Sequence, residues 1–126
     1  MDRGTPDGAR RKQLTIDVRR TEAGAVVTPA GELDHHSADT LRGSLEQCLA
    51  DGVRRIVIDC SALEFCDSTG LNVLLATRLT AESAGGQIHL AAMRPIVARV
   101  FEITGAGSVF TVHDTLDDAL AALPAD

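Results

Sequence analysis

Hydrophobic residues in this chain follow two different spacings, and these alternate along most of its length. Near the start, Leu14, Ile16 and Val18 alternate with polar residues, which is the period of a half-buried β-strand. A short turn leads into a second predicted strand at Ala25–Gly31, so the fold is expected to open with a hairpin. Because Pro29 cannot donate a backbone hydrogen bond, this second strand should end, bulge or lie at a sheet edge there.

Helix-like spacing follows the hairpin. A first helix is expected to end at Asp51-Gly52, and its apolar positions are Ala38, Leu41, Leu45, Cys48 and Leu49. After it, Arg54–Cys60 contains a continuous β-branched run, which favours a strand buried on both faces. A second helix is predicted to begin near Ser68 and to end at Gly85-Gly86. Its predicted apolar stripe consists of Leu71, Leu74, Leu75 and Leu79.

The remaining segments continue the alternation. They predict a strand at Gln87–Ala91, a helix with Pro95 in its first turn, a strand at Val109–Val112, and a final helix marked by Leu116, Leu120 and Leu123. Since strands and helices alternate after the hairpin, the sequence predicts a single α/β domain. Its expected architecture is a small mixed, mainly parallel β-sheet packed against about four α-helices.

The first residues differ in composition from the rest. Residues 1–13 include Gly, Pro and the basic cluster Arg10-Arg11-Lys12, and we expect a flexible leader there, with the folded domain covering residues 14–123. The formal net charge is −6, which argues against direct nucleic-acid binding through a basic stripe. No apolar run approaches the length that spans a bilayer, and the N-terminus resembles no signal segment, so we expect a cytoplasmic protein without a membrane partner.

The composition also excludes several kinds of site. The chain has no Trp, no Tyr and three Phe, so stacking sites for sugars, bases or flat cofactors are not expected, and we expect no cofactor. Three cysteines are an odd number for a disulfide framework, and Cys48 and Cys60 are interpreted as small core residues. No metal site is expected, because His35 and His36 are adjacent and Cys60 and Cys66 lack the close spacing of zinc ligands.

The strongest functional signal is the tetrad Asp67-Ser68-Thr69-Gly70, which follows the buried strand through a short loop and opens the second helix. Hydroxyl and carboxylate side chains at that position can cap free backbone amides. Capping accounts for one of these side chains, but not for three polar groups followed by glycine. Catalysis is not indicated, because no Gly-x-Ser-x-Gly elbow surrounds Ser68 and Asp67 is too close in sequence to complete a triad. We therefore expect no enzyme and no catalytic residue.

Two stretches carry a family resemblance. Phe65–Leu71, after a buried strand, resembles the signature of the STAS domain, the fold of bacterial anti-sigma factor antagonists. Upstream, Gly31–Ala38 resembles the segment of that family between the second strand and the first helix. The resemblance extends over residues 14–122, and the two stretches stand in the order that the family has.

The resemblance implies a partner switch. Members of this family bind an anti-sigma factor that is also a serine kinase, and so release the sigma factor it holds. The kinase phosphorylates the serine after the motif aspartate, and a PP2C-type phosphatase reverses this. Carried onto this chain, the phosphorylated residue is Ser68, with Thr69 as the second choice. The expected partner-binding residues are Asp34, His35, Asp67, Ser68, Thr69, Gly70, Asn72, Val73 and Ala76.

Two points stay open at the level of sequence. In the second helix, Thr69, Val73, Ala76 and Thr80 follow a 4-3-4 spacing, which fits either a mildly apolar docking surface beside Ser68 or a helix buried on two sides. The segment Asp34-His35-His36 is interpreted as supporting the start of the first helix as well as lying near the partner surface.

Domains of this family serve other functions too. They occur as cytosolic tails of anion transporters, in stress-sensing assemblies and as small subunits of lipid-transport complexes. The alternative function is therefore a STAS subunit of a stress-sensing or lipid-transport complex without sigma-factor control. Stable co-purification with a membrane permease, without phosphate on Ser68, would favour the lipid-transport alternative.

Overall fold

The structure of the chain is a computed structural model that describes residues 13–122. Residues 1–12 of the expected leader, and Leu123 at the expected end of the domain, lie outside the described residues. Within the described part, the elements in chain order are β1 (Thr15–Thr21), β2 (Gly24–Leu33), α1 (Ala38–Ala50), β3 (Arg55–Asp59), β4 (Leu63–Cys66), α2 (Ser68–Ser83), β5 (Gln87–Ala91), α3 (Pro95–Thr104), a 3₁₀ turn (Ala106–Ser108), β6 (Thr111–His113) and α4 (Leu116–Ala122). The predicted α/β fold, a mixed sheet with four helices, is confirmed.

The sheet is parallel except for its opening hairpin. Its strand order is β1-β2-β3-β5-β6, with β4 paired to the last part of β2. β1 runs antiparallel to β2, whereas the other paired strands are parallel. β3 lies in the middle, and its residues Ile56, Val57 and Ile58 are all buried. The β-branched run therefore forms a strand covered on both faces, as predicted.

β2 extends past its predicted end because it changes partner along its length. Ala25–Val27 pairs with β3, and Gly31–Leu33 pairs with β4. Pro29 lies between these two parts, and the register shifts between Gly31 and Glu32. The irregularity expected near Pro29 is present, but the prediction that β2 ends at Gly31 is wrong, since a second partner strand satisfies its continuation.

β4 is the element that the sequence does not predict. The segment was expected to be a loop between the buried strand and α2. Its burial along Leu63–Cys66 runs buried, half-buried, exposed, buried, which lacks the alternation that identifies a strand. An extra residue in β4 explains this pattern, because Glu64 has no register partner between Leu63 and Phe65 and so changes which face the following side chains occupy.

Helices cover the two faces of the sheet unequally. α1, α2 and α3 contribute to one large hydrophobic cluster, which includes Leu41, Leu74 and Phe101. On the other face, α4 contributes Ala119 to a small cluster with Val57 and Ala91. Full burial of a large aliphatic or aromatic side chain contributes about 1.5–3 kcal/mol, so most of the stability resides on the side of the sheet that α2 occupies.

The predicted apolar stripe of α2 is wrong in part. Leu71 and Leu74 are buried, but Leu75 is only half-buried and Leu79 is 60% exposed. The buried face is completed instead by small or polar residues, namely Gly70, Val73, Thr77 and Ala81. The hydroxyl of Thr77 donates a hydrogen bond to the Val73 carbonyl at 2.8 Å, so the polar group is satisfied within the core.

The last strand, β6, begins later than predicted. A 3₁₀ turn at Ala106–Ser108 precedes it, and β6 is Thr111–His113 instead of Val109–Val112. Phe110, just before β6, is buried and contacts Phe101 edge to face, with ring centroids 5.9 Å apart. That contact directs Phe110 into the core and leaves the following residues to pair with β5.

The described residues contain neither a metal cluster nor a spanning helix. No group of three or more His, Cys, Asp or Glu residues among them could hold a metal ion. No helix within residues 13–122 is long and apolar enough to cross a membrane. Cys48, Cys60 and Cys66 are free and buried.

Candidate functional site

The two stretches that carry the family resemblance meet at one edge of the sheet. β2 and β4 are parallel, and Leu33 at the end of β2 is the register partner of Cys66 at the end of β4. The backbone amide of Asp67 donates a hydrogen bond to the Leu33 carbonyl at 3.1 Å. Because parallel strands end at the same edge, His35 and Ser68 follow these strands on the same side of the molecule.

Asp67 connects the two stretches through its carboxylate. One oxygen, Oδ1, accepts a hydrogen bond from the Gly70 amide at 3.0 Å and caps α2. The other, Oδ2, accepts from the His35 amide at 3.2 Å and lies 3.9 Å from the His35 ring Nδ1. Both oxygens thus have backbone donors, and capping explains Asp67 but neither of the hydroxyl residues that follow it.

Ser68 and Thr69 form the start of α2 and are both exposed. Neither hydroxyl makes a hydrogen bond with another residue of the described part of the chain. At this position the first backbone amides of a helix have no intrahelical partners, and their positive end favours a negative group. The site therefore presents two accessible, unactivated hydroxyls in surroundings that tolerate added negative charge.

Gly70 is required by close packing. A Cβ atom added there would lie 2.5 Å from Cγ of Leu33 and 3.1 Å from the Leu33 carbonyl oxygen. Since real Cβ contacts are not that short, only glycine lets the first turn of α2 rest directly on the end of β2. Gly70 is itself buried, so it shapes the site from beneath and is not exposed to a partner.

Asp34 also acts from beneath the surface. It is 3% exposed, and its Oδ1 accepts hydrogen bonds from the amides of His36 at 2.9 Å and Ser37 at 3.1 Å. Its backbone carbonyl accepts from the Ala38 amide at 2.8 Å. Asp34 thus supports the start of α1, as interpreted from the sequence, while the side chain of His35 is 59% exposed beside Asp67.

The outward surface of α2 differs from the predicted one at Val73. Thr69, Ala76 and Thr80 are exposed, but Val73 is 4% exposed and belongs to the core. Val73 therefore does not belong to the outward surface, because the helix is rotated so that Val73 and Thr77 face inward together. Asn72 is exposed, and we define the outer face of α2 as Thr69, Asn72, Ala76 and Thr80.

Two further residues near the tetrad have distinct environments. Phe65 on β4 is an aromatic ring three positions before Ser68, and it is 36% exposed. The sequence did not indicate this exposure, because β4 was not predicted. Cys66 is buried, and burial raises the pKa of its thiol from 9.0 to about 12. Its Sγ donates to the Asp67 carbonyl at 3.5 Å, so Cys66 is an inert anchor immediately before the site.

Comparison with known proteins identifies relatives of this chain. A family model described as the STAS domain matches residues 15–119. Among curated proteins, the chain is 31% identical over 112 residues to the anti-sigma-F factor antagonist RsfB of Mycobacterium tuberculosis, covering 87% of this chain and 89% of that protein. Among solved structures, it is similar to an anti-sigma factor antagonist from Mycobacterium paratuberculosis, with 34% identity, a TM-score of 0.81, and coverage of 88% of this chain and 94% of the other.

A further relative has been solved in two chemical states. The chain is similar to the anti-sigma factor antagonist SpoIIAA in its unphosphorylated form, with a TM-score of 0.73, 26% identity, and coverage of 84% of this chain and 93% of that chain. It is similar to Bacillus SpoIIAA in the phosphorylated form with a TM-score of 0.68, 26% identity, and coverage of 85% and 97%.

Proposed function

We propose that this chain, which belongs to the STAS-domain family, is an anti-sigma factor antagonist whose partner binding is switched off by phosphorylation of Ser68. The observation that carries the proposal is the position of Ser68, which is exposed at the first turn of α2 beside a carboxylate joining the two resemblance stretches. Its partner is an anti-sigma factor that is also a serine kinase, and a PP2C-type phosphatase restores the active form. The protein acts in the cytoplasm and is not itself an enzyme.

The proposed docking surface combines two elements at one edge of the sheet. It consists of His35, Ser68, Thr69, Asn72 and Ala76, all of which are exposed. Asp34, Asp67 and Gly70 shape this surface through capping and close packing without presenting much area of their own. A partner seated here would cover the Ser68 hydroxyl and the start of α2 together.

Charge at this interface supplies the switch. A phosphoryl group adds about −1.5 to −2 charges, and Asp67 already carries one carboxylate next to Ser68. An unpaired charge buried at an interface costs about 2–5 kcal/mol. Since about 1.4 kcal/mol is a tenfold change in affinity, one phosphate is sufficient to weaken partner binding by one to three orders of magnitude.

The fold itself is expected to survive the modification. The start of α2 favours a negative group by about 0.3–1 kcal/mol, and within residues 13–122 the hydroxyl of Ser68 makes no hydrogen bond that phosphorylation would break. The existence of solved structures of the relative SpoIIAA in both forms is consistent with this expectation. The switch therefore acts on the docking surface and not on the core.

The same contacts argue against catalysis at Ser68. A nucleophilic serine needs an adjacent base to accept its proton. The nearest carboxylate, Asp67, accepts backbone hydrogen bonds through both oxygens and makes none with the Ser68 hydroxyl. These contacts support the proposal that Ser68 receives a phosphoryl group from another protein's active site.

Binding of the chain to the anti-sigma factor of its own host, measured by calorimetry, tests the proposal. Ser68→Ala should bind like the unmodified chain and accept no phosphate from ATP and the kinase. Ser68→Asp should bind at least tenfold more weakly, although one carboxylate only partly imitates a phosphate. Ser83→Ala is the matched control, since it removes an exposed hydroxyl in the last turn of α2, outside the docking surface, and should keep both binding and phosphate acceptance.

Two results would count against this account. Phosphate transfer to Ser68→Ala at the unmodified rate would show that Ser68 is not the acceptor. If Ser68→Asp bound as tightly as the unmodified chain while phosphorylated protein did not, charge alone would be an insufficient explanation of the switch.

A further inference from the structure

A hydrogen-bonded histidine pair lies away from the Ser68 site, between β5 and β6. His89 Nδ1 and His113 Nε2 are 2.9 Å apart, and His89 Nε2 is 3.0 Å from Oε1 of Gln87. Because the Gln87 oxygen can only accept, His89 carries its proton on Nε2, and its Nδ1 accepts from the N–H of His113. The rings lie within 8° of parallel with centroids 5.2 Å apart, which fits an edge-to-edge contact along this hydrogen bond.

This arrangement accommodates only one added proton. His113 can be protonated at its Nδ1 and still donate through Nε2, but a proton on Nδ1 of His89 would place two donors opposite each other. His89 is 7% exposed, and burial, together with the neighbouring His113, lowers the pKa of His89 below 6.5. The folded pair thus binds protons less readily than an opened pair would, so acidification favours opening.

Charged groups near the pair lie on β3, α2 and α4 and in the loop after β6. Arg55 and Asp59 flank Val57, the β3 register partner of His89, and so share its face of the sheet. Arg78 and Glu82 of α2 line a cavity of about 290 Å³ that also contacts His89. Asp114 follows β6, and Asp117 and Asp118 lie in the first turn of α4.

The nearby carboxylates with identified contacts already have partners. Glu82 is 3.2 Å from the Arg78 guanidinium, and Asp59 accepts a hydrogen bond from the Ser61 amide at 3.0 Å. These two carboxylates are therefore held by groups other than the histidine pair.

The segment attached to His113 has few other contacts holding it. β6 contains three residues, and α4 contains seven. Its apolar cluster consists of Val57, Ala91 and Ala119, with Ala92 and Leu116 partly buried. Segments with little buried apolar surface open locally at lower free energy than the core, so the histidine pair adds to the backbone pairing of β5 with β6 in keeping this segment closed.

β6 in turn holds the junction between β5 and α3. The Ala92 amide donates to the His113 carbonyl at 3.0 Å, and Ala92 has a φ of 60°, a conformation that non-glycine residues seldom adopt unless their surroundings impose it. Arg94 follows two residues later, and its Nε donates to the Ser61 carbonyl at 2.8 Å. Release of β6 would therefore let Ala92 relax and free Arg94 from the loop after β3.

We propose that the segment from β6 to the end of α4 is a proton-operated latch, which opens when both His89 and His113 become protonated and releases the junction that carries Arg94. The proposal does not depend on phosphorylation of Ser68 or on any partner. It predicts that mild acid loosens the carboxyl edge of the sheet near Ala92 while β3 and α2 remain folded.

Amide hydrogen exchange of the full chain at about pH 7.5 and about pH 5.5, on either side of the ordinary histidine pKa, tests the latch. After correction for the intrinsic pH dependence of exchange, the amides of Ala92 and β6 should lose at least tenfold more protection at the lower pH than that of Val57. Equal losses at all three places would indicate global unfolding, and no loss would show that the pair does not control opening. Either result would overturn the proposal.

Two variants sharpen the test. In His89→Asn, the side-chain oxygen can accept from His113 in place of Nδ1 but cannot titrate, so Ala92 should stay protected at the lower pH. His36→Gln removes an exposed histidine that follows β2, a strand that β3 separates from β5 and β6. This variant should leave the pH response unchanged. If His89→Asn does not fold, exchange of the unmodified chain at the two pH values still tests the proposal, because equal or absent loss of protection at Ala92 would overturn it.

Discussion

At the scale of single residues, neighbouring positions in the tetrad have separate tasks. Asp67 caps α2 and binds the His35 amide, Gly70 allows close packing on Leu33, and Ser68 has an exposed hydroxyl without a hydrogen bond to the rest of the described chain. The structural residues hold the first turn of α2 in place whether or not Ser68 is modified. A charge added at Ser68 is therefore presented to a partner at a fixed position, which is what a switch based on charge requires.

Substitution of Gly70 tests the packing role directly. Gly70→Ala should lower the free energy of unfolding by about 1–3 kcal/mol, because the new Cβ overlaps Leu33. Gly43→Ala on α1 is the control, since nothing lies within 4 Å of its added Cβ, and it should raise stability by up to about 1 kcal/mol through helix propensity. Urea denaturation followed by circular dichroism measures both, as the chain has no Trp or Tyr.

Equal stabilities for the two alanine variants would contradict this explanation of Gly70. That result would mean that Leu33 moves aside without cost, and that the glycine is not needed for the contact between β2 and α2.

At the scale of elements, sequence patterns predicted helices and central strands better than they predicted the orientation of α2. Leucine spacing suggested that Leu79 faces the core, but Thr77 takes an inward position because its hydroxyl bonds to Val73 within the helix. β4 escaped prediction because its four residues do not alternate in burial. In both cases a contact that exists only in the folded chain decides what the local pattern leaves ambiguous.

The outer face of α2 can be tested apart from Ser68. Asn72→Arg places a large cation among the proposed contacts and should weaken binding of the anti-sigma factor at least tenfold, or by about 1.4 kcal/mol. Ser83→Arg introduces the same side chain at an exposed position in the last turn of α2, about 16 Å farther along the helix axis. Calorimetric binding should be unaffected by Ser83→Arg, and equal weakening by both variants would place the docking surface elsewhere.

At the scale of the whole molecule, the sequence predicted the class of fold, and the family resemblance implied that His35 and Asp67 both lie near a partner surface, but neither predicted the asymmetry of the two sheet faces. In the structure, the parallel strands β2 and β4 end at one edge, and this brings His35 close to Asp67. The small cluster under α4, and the pairing of His89 with His113 beside it, depend on register between β5 and β6. Register between distant segments leaves no local signal in the sequence.

Thiol reactivity reports on the integrity of the large core. Cys60 and Cys66 are buried, and burial raises the pKa of each thiol from 9.0 to about 12, which reduces the thiolate fraction by roughly a thousandfold at mildly alkaline pH. We expect a thiol reagent to modify these cysteines only as fast as the chain unfolds, and at once in urea. Immediate modification of either thiol in the native protein, located by peptide mass spectrometry, would contradict the packing described for β3 and β4.

The central claim is that Ser68 is a reversible phosphorylation site, and mass spectrometry of the protein from its own host tests it most directly. Intact-mass and peptide spectra recorded before and after treatment with a PP2C-type phosphatase should show a phosphatase-sensitive phosphoryl group on Ser68. A group on Thr69 would keep the mechanism and move the site by one residue. No phosphate under any growth condition, with a membrane permease in the purified material, would contradict the claim and favour a subunit of a transport complex.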